Sequence, residues 1–221
     1  MAKLSAQQLS SRLKFDFRIA TTMNCSTLQV EAYASAANLN DRKKRLSTRN
    51  NTGRASHYRL DYRIKSLVAR DKFHNQFTVL VDLLAGGNYP FSEPKCQVIS
   101  TPIPWSPHFT KGAPICIGES WQQQNGRATI GHLMIHIAKL LNFDEPPREA
   151  TYRGWNGAAV DYWRDVLKYR PITPGLAYPN IDRKILDPGQ VKSPQATFRP
   201  VRRSTDAPLF KSLNAEPTNV S

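Results

Sequence analysis

Only three cysteines occur in the 221 residues: Cys25, Cys96 and Cys116. Their odd number and wide spacing argue against a disulfide framework and against a CxxC zinc site. In a reducing compartment each is a free thiol, and a free cysteine is ordinarily a small buried hydrophobe. A reactive role must therefore be argued for one particular position. No apolar run approaches the length needed to span a bilayer. The opening Met1-Ala2-Lys3-Leu4-Ser5 lacks the apolar core of a signal peptide, so cytoplasmic residence without a membrane partner is the expectation. There is no glycine-rich phosphate loop, no zinc-finger spacing and no internal repeat. No metal or cofactor is expected.

Acidic residues are also scarce, 17 against 31 Lys and Arg, for a net charge of +14. Such an excess raises nucleic-acid binding as a function. Its distribution argues against it. Residues 57–169 hold 13 basic and 10 acidic residues, residues 1–56 hold 10 and 3, and residues 170–221 hold 8 and 4. The central body is near balance and the excess lies in the flanks.

What is present reads as a globular α+β chain, with 40% hydrophobic and 22% charged residues. Leu9, Leu13, Phe17 and Ile19 or Ala20 set a helical face over residues 5–22. Leu28–Ala34 is a short strand. Residues 36–56 carry Arg42-Lys43-Lys44-Arg45 and Asn50-Asn51-Thr52-Gly53, and read as an exposed, mobile basic loop. Tyr58–Ala69, Phe77–Leu84 and Lys95–Ser100 follow as strands, joined by connections too short for crossover helices. Ala128–Leu141 is amphipathic, with Ile130, Leu133, Met134, Ile137, Leu140 and Leu141 at helical spacing. A further helix starts near Asn156, a fitting N-cap, and places Ala159, Val160, Trp163, Val166 and Leu167 on one side. The expected architecture is an N-terminal helix, a four-stranded antiparallel meander, then helices packed on one face. This domain covers residues 1–169. Residues 170–221 contain 8 of the 16 prolines and no helical period, and read as a basic, largely extended tail. The long irregular segment 101–127 contains Cys116; such stretches inside compact domains are usually functional.

Several motifs in this region occur in an informative order. Tyr89-Pro90-Phe91-Ser92-Glu93-Pro94-Lys95-Cys96-Gln97-Val98 resembles the Tyr-Pro, Pro, Val signature of ubiquitin-conjugating enzymes. Ser106-Pro107-His108, followed by Pro114-Ile115-Cys116-Ile117, is similar to that family's His-Pro-Asn motif and its Ile-Cys-Leu active site. Cys116 follows His108 by eight residues, the family's spacing from Asn to cysteine. Thr129-Ile130, Leu140-Leu141, Asp144-Glu145-Pro146-Pro147 and Asn156-Gly157-Ala158-Ala159 match further family positions. The resemblance covers residues 58–169 and extends loosely to the first helix and strand. Three features depart from the pattern. Ser106 and His108 replace the motif's His and Asn, one extra residue lies between Gly112 and Cys116, and the Trp-Ser-Pro after the cysteine is missing. In these respects the chain is similar to divergent bacterial relatives, which act with a dedicated activating enzyme and a ubiquitin-like modifier, some of them in defence against phage.

The resemblance implies a thioester carrier. Cys116 would accept the modifier from an activating enzyme and pass it to an amine, such as a lysine of a target protein. Sulfur suits both steps, being a good nucleophile and a good leaving group. In the family the Asn is credited with stabilising the oxyanion or with ordering the active-site loop. His108 would inherit either role. The other residues have plainer readings. Cys96 is a strand core residue, and Cys25 belongs to the core or to a turn. His132 and His136, at i and i+4, lack the acid of an HExxH pair and lie on the solvated side of their helix. Tyr89, Pro90 and Pro94 are turn and core residues, and Trp155 and Trp163 are core. The alternative function is a non-catalytic module of the same fold that binds a modifier or partner; inactive family variants lack the cysteine that this chain keeps. A cysteine hydrolase is disfavoured, because no Cys–His–acid set can be ordered from the sequence.

Overall fold

The computed structural model describes residues 3–39, 41–47, 54–117, 120–145 and 154–181. The order is α1 (Ala6–Thr22), β1 (Leu28–Tyr33), β2 (His57–Tyr62), β3 (Ser66–Ala69), β4 (Lys72–His74), β5 (Phe77–Asp82), β6 (Lys95–Val98), α2 (Ser120–Gln123), α3 (Ile130–Leu141) and α4 (Gly157–Asp165). The chain is thus mixed α+β, with an N-terminal helix, a four-stranded antiparallel sheet and later helices. Among the described residues no helix is long and apolar enough to cross a membrane.

Side-chain alternation builds the sheet. Strands run in the order β1-β2-β5-β6, all antiparallel. Register brings Ala32, Tyr58, Val81 and Cys96 into one row and Val30, Leu60, Val79 and Val98 into the next. Leu28, Tyr62 and Phe77 form a third. Since successive side chains alternate between faces, these rows share one face. They join Leu13, Phe17, Ile19 and Ala20 of α1 and the apolar side of α3 in one core. The Tyr62 hydroxyl, fully buried, donates to the Met134 carbonyl at 3.0 Å and fastens β2 to α3.

Tyr58–Ala69 is not one strand. Sheet pairing ends at Tyr62, and the burial alternation that continues through Ile64 breaks where Ser66 and Leu67 are buried in succession. The chain leaves the sheet there and forms a separate β3–β4 ribbon, turning at Arg70-Asp71 with Asp71 at φ +59°. The connection between the second and third sheet strands therefore contains a two-stranded ribbon of its own.

Helix ends follow the local chemistry. Ser5 and Gln8 form a reciprocal capping box at α1. Asn156 caps α4, its side chain accepting from the Ala159 N–H at 3.2 Å. One polar residue of α1 is fully buried. Asp16 accepts from Arg12 Nε at 2.7 Å, the Tyr89 hydroxyl at 2.7 Å and the Ile130 N–H at 3.1 Å. Its carboxylate thus meets the N-terminus of α3, where unpaired N–H groups favour negative charge. Arg12 also donates to the carbonyls of Gly126 and Ala128.

Two flanking segments differ from their sequence reading. In the basic loop, Lys43, Lys44 and Arg45 are exposed as expected, but the chain beside them is tied down. Leu46 N–H donates to Ala32 O at 2.8 Å, Ser56 N–H to Tyr33 O at 3.1 Å, and Arg45 reaches Glu31 at 3.4 Å. Residues 40 and 48–53 lie outside the described residues. In the tail, residues 171–181 pack on the domain. Asn142 brackets Thr173 through both its N–H and its carbonyl, at 2.8 and 3.0 Å, and its amide also donates to the Tyr178 hydroxyl at 2.8 Å. Ile181 is buried against Gly131 of α3, where a Cβ would lie 2.9 Å from Ile181 and 2.7 Å from Ile19. The remainder of the tail, 182–221, lies outside the described residues.

Candidate active site around Cys116

After β6 the chain runs through Ser106-Pro107-His108-Phe109. Ser106 and Phe109 are buried, and the Ser106 hydroxyl faces the Leu140 carbonyl of α3 at 3.5 Å. These two anchors fix the turn between them, and the Trp155 N–H adds a bond to the Pro107 carbonyl at 2.8 Å. The chain then reverses. Gly112 takes φ +78°, a conformation that glycine adopts without a Cβ penalty. The reversal brings residues 115–117 back beside both the turn and β6. Ile115 N–H donates to Cys96 O at 2.7 Å, and Cys116 N–H donates to His108 O at 3.0 Å.

Ile115 and Ile117 are buried, while Cys116 between them is half-exposed. The alternation sets two apolar anchors inward and turns the intervening thiol toward the surface. Cys96 is fully buried in the sheet, and burial pushes its thiol well above the ordinary range. Cys25 is exposed in the turn after α1, 3.2 Å from the Thr27 hydroxyl. Of the three thiols, Cys116 alone sits in the irregular segment, on backbone that is pinned on both sides.

The structure brings His108 and Cys116 together through the backbone. His108 Nδ1 lies 3.0 Å from the Cys116 carbonyl. A carbonyl only accepts, so Nδ1 carries the hydrogen. Burial lowers the His108 pKa to about 4, helped by nearby His136 and opposed by the bond to Cys116 O and by the Glu145 charge. The ring is therefore neutral at pH 7, with its single N–H on Cys116 O and a lone pair on Nε2. In this orientation it braces the loop and has no second N–H to offer an oxyanion.

A second histidine was not expected here. His136 Nε2 lies 3.0 Å from the Ile117 carbonyl, and its Nδ1 lies 2.9 Å from Glu145 Oε2. Burial pushes the Glu145 carboxyl up, but the bond and charge of His136, with Lys139 and His108, outweigh burial and leave it below the ordinary range. The solvated reading of His136 is thereby corrected, since its side chain is only 17% exposed. His136 falls three residues after Leu133 and four before Leu140, a spacing that places it beside the apolar face. His132 does remain exposed, and its Nδ1 accepts from the Thr129 N–H at 3.2 Å to cap α3. Among the described residues no group of three His, Cys, Asp or Glu side chains is arranged to hold a metal ion.

The aromatic residues divide. Tyr89 and Trp121 are buried and stacked, with ring centroids 6.0 Å apart, and the Trp121 indole donates to Pro90 O at 3.0 Å. Trp163 is buried edge-on against Phe143 at 5.4 Å. Trp155 is not a core residue; 51% of it is exposed. Of the acidic-proline motif, Asp144 and Glu145 are described, while Pro146 and Pro147 lie outside the described residues. No protein-family model matches the chain, and no curated protein sequence matches it.

Proposed function

We propose that this chain accepts a ubiquitin-like modifier from an activating enzyme as a thioester on Cys116 and transfers it to an amine of a target protein, in the manner of the ubiquitin-conjugating enzymes it resembles. The supporting observation is the setting of Cys116, a half-exposed thiol between two buried isoleucines on backbone hydrogen-bonded to β6 and to His108. In the first step the Cys116 sulfur attacks the carbonyl of the activating enzyme's thioester. The new C–S bond forms as the enzyme's thiolate leaves, and the Cys116 proton passes to solvent. In the second step an amine attacks the same carbonyl, and Cys116 leaves as thiolate. A rigid, reachable thiol answers both steps, because each needs an incoming group to approach the sulfur or the acyl carbon from solvent. The partners are the activating enzyme, the modifier and a target lysine, met in the cytoplasm.

One observation favours the second reading, a non-catalytic module of the same fold. His108 stands where the family has its Asn, and its N–H is spent on the backbone. The two readings separate on one experiment. With ATP, an activating enzyme and a ubiquitin-like modifier, a carrier forms an adduct that reducing agent collapses. A binding module forms a reversible complex and no adduct.

A further inference from the structure

Two successive carbonyls follow the Cys116 sulfur along the chain, and each is held by an imidazole from a different element. His108, in the Ser106–Phe109 turn, holds Cys116 O, and His136, on α3, holds Ile117 O, both at 3.0 Å. Successive carbonyls of an extended segment point to opposite sides. A grip on both holds the two peptide planes on either side of Ile117.

We infer that His136, oriented by Glu145, is a positioning residue for Cys116. The inference rests on the proposed role of Cys116 as the reactive thiol. Geometry carries it. Ile117 O only accepts, so His136 Nε2 donates to it, while Glu145 Oε2 at 2.9 Å from Nδ1 fixes the direction of the ring.

The test uses a small thiol reagent, so it does not depend on charging. Iodoacetamide alkylates thiolate, forming a C–S bond as iodide leaves. Alkylation of Cys116 is followed by peptide mass spectrometry as a ratio to exposed Cys25 in the same chain. In His136→Ala the ratio rises several-fold at neutral pH, because the freed segment exposes the sulfur. In His136→Gln, whose amide N–H can reach Ile117 O, it returns toward wild type. Glu145→Gln, which weakens the hold on the ring, raises the ratio by a smaller factor and serves if His136→Ala does not fold. A His136→Ala ratio equal to wild type overturns the inference. So does a His136→Gln ratio as high as that of His136→Ala. If the alkylation result holds but wild type never takes up a modifier, the carrier reading fails and the positioning role stands.

Discussion

His108 and Cys116 are joined by two hydrogen bonds of opposite direction, Cys116 N–H to His108 O and His108 Nδ1–H to Cys116 O, both at 3.0 Å. The ring closes a bracket that the backbone opens, so one residue fixes both faces of the peptide chain at the thiol. Loss of the bracket should disturb every step that uses Cys116. His108→Ala is expected to slow thioester formation and discharge to lysine by similar factors and to cost about 1 kcal/mol of stability. His108→Asn, which keeps an N–H, should hold both rates near wild type. Single-turnover charging and discharge assays separate the steps. A loss confined to discharge would instead identify an oxyanion donor.

Acid should weaken the fold through the same residue. The folded state holds the His108 pKa at about 4, below the ordinary 6.5, because burial disfavours the imidazolium. The unfolded chain then binds the proton more readily than the folded one. Stability from this group is complete well above pH 6.5 and declines as pH falls toward 4, by about 3 kcal/mol. His108→Asn should show a shallower decline. Urea unfolding at a series of pH values checks the difference between the two slopes.

The tail should matter to stability as far as Ile181. Truncation after Arg170 removes Ile172, Thr173, Tyr178 and Ile181 from their contacts with α3 and Asn142. A clear fall in melting temperature is expected, and Ile181→Ala alone should cost about 2 kcal/mol. Gly131→Ala should also destabilise, although alanine is the better helix former, because its Cβ would meet Ile19 and Ile181 inside normal contact. A stabilised Gly131→Ala would show that these neighbours yield without cost.

Asp16 should be one of the least replaceable residues of α1. It is fully buried and receives Arg12, Tyr89 and the first N–H of α3. Asp16→Ala leaves Arg12 without its carboxylate and the α3 terminus without its acceptor, at about 3–5 kcal/mol. Chemical denaturation of this variant beside wild type measures it, and a loss within ordinary surface scatter would remove the residue from the account.

The parts of this architecture that repeat are legible in the sequence. α1, α3 and the sheet strands declare themselves through apolar periods, and Asn156 through its capping chemistry. β3 and β4 are too short to establish a period, so in the sequence β3 reads as the end of the β2 run and β4 as part of a connection. The docking of 171–181 rests on isolated residues along extended chain, which carry no period at all. At the site, motif order placed His108 and Cys116 in one segment, but spacing says nothing about where a ring points. The spending of His108 N–H on a carbonyl is a fact of orientation. His136 was readable in part, since it lies between Leu133 and Leu140 in helical spacing, yet its partner Glu145 comes from beyond the helix.

The decisive measurement compares charging of wild type, Cys25→Ser, Cys96→Ser and Cys116→Ser with activating enzyme, ATP and modifier on non-reducing gels. Wild type and Cys25→Ser should give an adduct that reducing agent collapses, and Cys96→Ser should do so with some loss from core packing. Cys116→Ser should give none, or a reductant-resistant ester, because an alkoxide leaves less readily than a thiolate. A reducible adduct formed at normal rate by Cys116→Ser would contradict the account.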